Sequence, residues 1–533
     1  MSAIRSDLAE TPPERSSGIP RMLMGGYAAL AESMWMGFAQ ATEVLEPLRA
    51  LPDALRRWQV IVPHRPRFQL QGLATREFAV GEASFILMAS FFGSALLGAI
   101  RQILFNAQFG VGPDADAYYA AFQLPDTLFS LIAGGALSSA MIPVLLGTGR
   151  EEGEGAALRL TNLVLTALLA AMAVIVLLVG LFTPAIVRHV LAPGFGAATS
   201  ALTVSLTRIM LAQTLILAIS SVLTAVLNAR NRFLLTGLSI ATHNLTLIAG
   251  IVASRLVPGL GIYGPTLGVV LGALLNVAIL LPGLKGLGLQ LGLAWDPLDR
   301  HLREVIRLLI PNGLAVGVNY AGFIVDTAFA SKAPEPAALP AIYNAFLLVG
   351  LPISLLGQAV GQAVFPRLSA HAEAHRWHEM RATLVRSMAA AIGLAVPAVI
   401  GLLLLGRPII RVLFERGKYD AAAGDLTYAV LMAYAVALPA YVAAEVVTRG
   451  LIALRDTRTS LVTNTVQLMG RFALLVVLIG RIGVLAIPVA FAVCASLEVL
   501  ALAPALWLKL RGRLRAGPAA GPAAGPAAGQ GLA

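Results

Sequence analysis

From Phe78 to Leu510, apolar runs long enough to cross a bilayer follow one another with only short polar or Pro/Gly turns between them. A spanning helix needs about 20 mostly apolar residues. Such runs lie near 80–105, 117–147, 158–187, 202–228, 233–256, 261–285, 304–330, 341–366, 383–406, 427–453, 459–480 and 483–509, so about twelve spans are expected. Strands of an outer-membrane barrel would be about 10 residues long and alternate in polarity. Long, uniformly apolar runs instead favour helices, which close their backbone hydrogen bonds internally. Only 13% of the residues are charged and 58% are hydrophobic, against roughly 25% charged in soluble domains. The expected fold class is an all-α polytopic membrane protein, with two six-helix halves around a central cavity.

The net charge of +11 does not point to nucleic acid, because the basic residues sit in flanks and loops. Arg49, Arg56, Arg57, Arg65, Arg67 and Arg76 precede the first span, and Lys509, Arg511, Arg513 and Arg515 follow the last. Lys285, Arg300 and Arg303, then Arg367, Arg376, Arg381 and Arg386, then Arg455 and Arg458, mark alternate loops. By the positive-inside rule both termini are expected in the cytoplasm. The loop 407–426, with Arg407, Arg411, Arg416 and Lys418, dissents. The single Cys494 allows no disulfide within the chain and no thiol-based metal site. No secretory signal pattern opens the sequence, so the first span is expected to direct insertion.

Five segments are expected. Residues 1–77 form a cytoplasmic extension in which Leu23, Tyr27, Leu30, Met34 and Phe38 recur at helical spacing. Residues 78–285 and 304–510 are the two halves, joined by a loop at 286–303. Residues 511–533 form a Gly/Pro/Ala tail, whose GPAA repeat disfavours packing. A faint repeat relates AFQLPDTLFSLIAGGALSSAMIPVL, from Ala121, to AFLLVGLPISLLGQAVGQAVFPRLS, from Ala345. Transporters that alternate access use related halves of this kind.

Charges inside spans are costly, about 2.5–3.5 kcal/mol each at mid-bilayer on insertion scales. They persist where they pair, reach the boundary or line a wet cavity. The stretch from Gly98 to Leu146 holds Arg101, Asp114, Asp116 and Asp126. Arg101 has a structural reading, a pair with Asp116 or Asp114, and a functional one as a cation in the cavity. Asp116 has its own structural reading as the N-cap of the second span. Arg208 and Glu445 either snorkel or line the cavity, and Asp326 and Arg471 are single charges in apolar helices. His243 and Asn244 read as interhelical hydrogen-bond partners. No Walker A string, H-E-x-x-H or Ser/His/acid set is present, and no loop is large enough for a membrane-edge glycosyltransferase. A transporter rather than an enzyme is expected, without cofactor or metal.

The strings GAIRQ, FGVGPDADAYYAAFQLPD, GALSSAMIPVL, LAPGF, VLNARNRF, VDTAFAS, FPRLS, LFERGKYD and RDTRTS, in this order and spacing, resemble the MurJ (MviN) family of the multidrug/oligosaccharidyl-lipid/polysaccharide exporter superfamily. The resemblance covers nearly all of the bundle and neither terminal extension. It implies a flippase that moves an undecaprenyl-pyrophosphate-linked glycopeptide, lipid II, from the inner to the outer leaflet for peptidoglycan assembly. It further implies membrane lipids and cell-envelope synthesis proteins as partners, and the bacterial inner membrane as location. Arg101, Asp116 and Arg208 are the expected substrate-binding residues. Asp326, Arg471 and Glu445 are the expected ion-pair or cation site. In some relatives the residue matching Asp326 helps bind sodium, but Arg471 stands at about the place of a co-ligand here. A guanidinium cannot bind sodium and can instead pair with the carboxylate.

Departures accompany the resemblance. Where the family pattern has arginines in the first, second and eighth spans, the chain has Ala95, Phe129 and Leu347. Gly134 and Gln102 replace two acidic residues. The two further C-terminal helices that give the family a lipid-tail groove are not expected after the last span. The alternatives are export of another lipid-linked saccharide, a drug or cation antiporter of the same superfamily, and a transport-inactive envelope scaffold.

Overall fold

A computed structural model describes Arg76, Phe78 and residues 80–132, 136–287 and 291–515, and every regular element in them is helical. The first half comprises α1 (Val80–Phe109), α2 (Pro113–Ile132), α3 (Ala136–Glu151), α4 (Glu154–Ile186), α5 (Ala197–Ala229), α6 (Phe233–Leu256) and α7 (Tyr263–Leu280). The second comprises α8 (Arg300–Ala330), α9 (Ala338–Pro352), α10 (Ala359–Glu373), α11 (Trp377–Leu413), α12 (Ala421–Ala453), α13 (Thr457–Ile482) and α14 (Ala486–Arg515). The expected extension 1–77, apart from Arg76, lies outside the described residues, as does most of the expected tail. Arg511 to Arg515, assigned to that tail, continue α14 instead.

Nine segments among the described residues are long and apolar enough to cross a membrane. One of them, Arg458–Arg515, contains both α13 and α14. α2 and α3 lie in the run 117–147, which carries Asp126, and α8 carries Arg303, Glu304, Arg307 and Asp326. A π-helical turn, Ile353–Gln358, lies between α9 and α10.

Each half is built on one buried helix. α5 packs against α2, α3, α4 and α7, and α12 packs against α9, α10, α11 and α14. In both, 61% of the most apolar window is buried, against 6% in α1 and 11% in α11. α8 crosses between the halves, packing on α2 and α3 as well as on α13. One apolar cluster runs the length of the second half and reaches the first half at the end of the bundle where α1 stops, through Phe105, Tyr118, Tyr119, Val349, Phe414 and Tyr419. A second, at the opposite end, belongs to the first half plus Leu302 and Val305 of α8. The halves therefore meet at both ends, by a shared apolar seal where α1 stops and by α8 against α2 and α3 at the other.

Two glycines allow that seal. Gly110 has φ +63°, and a Cβ there would lie 2.3 Å from the Lys418 carbonyl oxygen. Gly417 has φ +60°, and its Cβ would lie 2.1 Å from the Ala107 carbonyl oxygen. Between them the Lys418 N–H donates to Ala107 at 3.0 Å. FGVG and ERGKYD are thus two sides of one contact between the halves. Gly417→Ala combines a disfavoured φ with a backbone clash, and should lower the melting temperature in detergent more than Gly261→Ala, where a Cβ meets open space at φ +48°.

Carboxylates start three helices. Asp299 accepts from the His301 and Leu302 N–H groups, Asp420 from Ala423, and Asp456 from Thr459. Asp456 also pairs with Lys509 of α14 and accepts from the Thr459 hydroxyl at 2.6 Å. The Lys509 ammonium, then the Thr459 donors, hold the Asp456 carboxyl down at about 2. A depressed acid stabilises the fold above its unfolded value of about 3.9. That stabilisation should fade as pH falls from there through about 2. Asp456→Ala should cost about 0.5–2 kcal/mol, as lost N-caps do, and should flatten this acid limb in a pH series of detergent melts.

Candidate functional site

Arg101 lies on α1, eight residues before its end. Its guanidinium donates to Asn244 Oδ1 of α6 at 3.1 Å and to the Tyr343 hydroxyl of α9 at 3.4 Å. Asn244 belongs to the first half and Tyr343 to the second, so Arg101 spans the space between them. Phe105, Tyr118, Tyr119, Phe122, Ile251 and Tyr343 line a narrow pocket around it. The Tyr119 and Tyr343 rings meet across the halves at 4.6 Å between centroids. Asn244 is held by its own donations to the Ser94 carbonyl and hydroxyl oxygens of α1, both at 3.0 Å.

The expected pair of Arg101 with Asp116 is not formed, and helix geometry supplies the reason. Eight residues at 1.5 Å rise put Arg101 about 12 Å below the end of α1, whereas Asp116 is only about 4.5 Å into α2. The residues level with Arg101 on α2 are tyrosines. Asp116 is not the N-cap either, since α2 begins at Pro113 and places it in the first turn. There the helix dipole favours a carboxylate. Its Oδ1 is buried without a hydrogen-bond partner among the described residues.

Directly beside Arg101 runs a buried neutral network that the sequence reading missed. Gln102 Nε2 donates to the Tyr119 hydroxyl at 2.6 Å, to Asn344 Oδ1 at 2.7 Å and to Asn106 Oδ1 at 3.2 Å. Asn106 Nδ2 also donates to Asn344 Oδ1, at 3.1 Å. Gln102 and Asn106 are on α1, Tyr119 is on α2 and Asn344 is on α9, so this network too joins the halves. The available signal was the i, i+4 spacing of Gln102 and Asn106 in an apolar helix, where polar side chains act as interhelical glue. Asn344→Leu leaves the Gln102 and Asn106 amides underbonded in a dry seam. It should cost about 1–3 kcal/mol, read as a fall in detergent melting temperature.

Asp326 of α8 and Arg471 of α13 are brought together as a buried ion pair, 5% and 7% exposed. The guanidinium also lies 5.0 Å from the centre of the Phe491 ring. Glu445 is not part of this pair. It bonds Arg449 one turn along α12, and both pack against Gly361 of α10. Arg208 is not near Arg101 or Asp116. It is exposed on α5 and donates to the Gly180 carbonyl of α4 at 3.1 Å. Pro184 has no N–H to donate to the carbonyl four residues before it, so the Gly180 oxygen is free for Arg208. Arg208 thus links α4 to α5. His243 lies beside the Phe122 ring, centroids 6.3 Å apart.

Two helical halves with a polar pocket between them share the architecture of solved transporters of the multidrug/oligosaccharidyl-lipid/polysaccharide exporter superfamily. Among solved structures, the chain matches an inward-facing multidrug resistance MATE transporter of that superfamily. The TM-score is 0.70 at 12% identity, over 80% of this chain and 96% of that one. It also matches "Lipid II flippase MurJ, inward closed conformation" at TM-score 0.68 and 22% identity, over 81% and 91%. The family model "Lipid II flippase MurJ" matches residues 105–521. The lipid II flippase MurJ of Burkholderia cenocepacia is 30% identical over 373 residues, 69% of this chain and 72% of the relative. A probable lipid II flippase MurJ of Rhizobium tropici is 27% identical over 415 residues, 77% and 78%. The chain belongs to the MurJ family; it is a multi-pass membrane transporter and not an enzyme.

Proposed function

We propose that the chain moves lipid II from the inner to the outer leaflet of the bacterial plasma membrane by alternating access. The halves 78–285 and 304–510 rock about the pocket that holds Arg101. The observation that carries this reading is the bonding of Arg101 to neutral partners from both halves. Pyrophosphate oxygens form stronger, charge-assisted bonds to a guanidinium than an amide or a phenol does, so the substrate can displace Asn244 and Tyr343 and loosen the seam. The lipid tail stays in the bilayer while the head group passes. The absence of arginine at Ala95, Phe129 and Leu347 concentrates this recognition on Arg101.

The positive-inside pattern supports cytoplasmic termini. Of the four basic residues that break that pattern, Arg407 is neutralised by Glu415 and Asp425. With this orientation the end of the bundle where α1 stops faces outward. Membrane potential or an ion gradient supplies the energy, and envelope-synthesis proteins are the partners this role implies. A strain depleted of its own flippase should regain growth on expressing the chain. Growth failure with correct membrane insertion would count against the reading.

One observation favours a second reading, export of a cationic amphiphile. Asp116 and Asp126 make no ion pair among the described residues, and aromatic rings wall the pocket. Resistance to amine drugs without growth rescue would select it. Growth rescue without flipping would select the scaffold.

A further inference from the structure

A second cavity lies far from Arg101, on the flank of the second half between α11, α12 and α14. Its volume is about 490 Å³, within the roughly 300–1,000 Å³ typical of small-molecule sites. Leu384, Met388, Val446, Leu500, Ala503 and Trp507 give it apolar walls, and no carboxylate lines it. Its mouth is where α11 begins and α14 ends. There the Arg381 guanidinium covers the Trp507 ring at 4.5 Å, and Arg513 covers Trp377 at 4.8 Å. Arg511 follows Trp507 by one turn, on the same face of α14. Arg381, Arg511 and Arg513 are exposed and make no ion pair among the described residues. The acids near this rim are taken, Asp456 by Lys509 and Glu379 by His371 and Arg376.

We propose that this groove holds an acyl chain of an anionic glycerophospholipid whose phosphodiester sits on Arg381 and Arg511. The site has an apolar slot for a chain, indole at the interface and unpaired guanidinium groups above it. Tryptophan and arginine hold this position at membrane boundaries, and basic pockets between spanning helices bind anionic head groups. Arginine matches phosphate with two parallel hydrogen bonds, which a zwitterionic head group offsets with its own cation. The lipid fills a dry groove that otherwise opens between α11 and α14, and so braces the outer helices of this half. The site is separate from the pocket of Arg101 and does not depend on what that pocket carries.

The test is quenching of Trp507 fluorescence by brominated lipid. The full chain, with Trp35, Trp58, Trp295 and Trp377 replaced by Phe, is reconstituted in phosphatidylcholine vesicles. Brominated phosphatidylglycerol at low mole fraction should quench saturably, while brominated phosphatidylcholine at the same fraction gives only the loss expected from random neighbours. In Arg381→Gln with Arg511→Gln, which removes both charge-assisted contacts, the half-quenching fraction of phosphatidylglycerol should rise at least about tenfold. Ala503→Phe, which fills the groove, should abolish the preference. Equal quenching by the two lipids in the parent chain overturns the proposal without recourse to any charge variant. A preference that survives both the arginine changes and the filled groove overturns it as well.

Discussion

Asp326→Asn should destabilise the protein in detergent by about 3–5 kcal/mol, the usual result of removing one partner from a buried ion pair. Arg471 would then be left at 7% exposure, with the Phe491 ring as its main compensation. Arg471→Leu should cost a similar amount by stranding Asp326. The double change, Asp326→Asn with Arg471→Leu, should be less destabilising than Asp326→Asn alone, since no unpaired charge remains. Strong non-additivity across the four melts is the expected signature. Additive losses, or a sodium-dependent rise in melting temperature that requires Asp326, would mean that the two residues do not act as a pair.

Arg101→Ala should abolish transport while leaving the protein folded. Asn244 keeps its bonds to Ser94, and Tyr343 keeps its contact with Tyr119. The side chain lost is the one guanidinium in the pocket between the halves. Arg101→Lys retains the charge but not the planar fork, and should fall between Arg101→Ala and wild type in growth rescue. Full rescue by Arg101→Ala would show that the substrate does not use this cation.

What was legible in the sequence followed from what lipid forbids. Asp326 and Arg471 stand alone in apolar helices, and unpaired charges there are expensive, so their pairing could be read together with the resemblance. The helical class followed from run length in the same way. The partner of Arg101 was harder to read, because nearness in sequence across a hairpin is not nearness in height. Asp116 is close along the chain but lies too near the start of α2. The link made by Arg208 is not legible in the sequence, because its partner is a backbone carbonyl freed by Pro184 and no side chain announces that. Gln102, Asn106 and Asn344 were missed because neutral amides raise no alarm in an apolar run, although together they join the halves as firmly as any charge.

If this chain turns lipid II over by rocking about Arg101, the amount of lipid II reachable at the outer leaflet of intact cells depends on that residue. In cells depleted of their own flippase, wild-type chain should restore that amount within the time of its expression. Arg101→Ala, inserted at equal level, should leave lipid II confined to the inner leaflet. Outer-leaflet lipid II that stays low with the wild-type chain, or is restored equally by Arg101→Ala, would contradict the account.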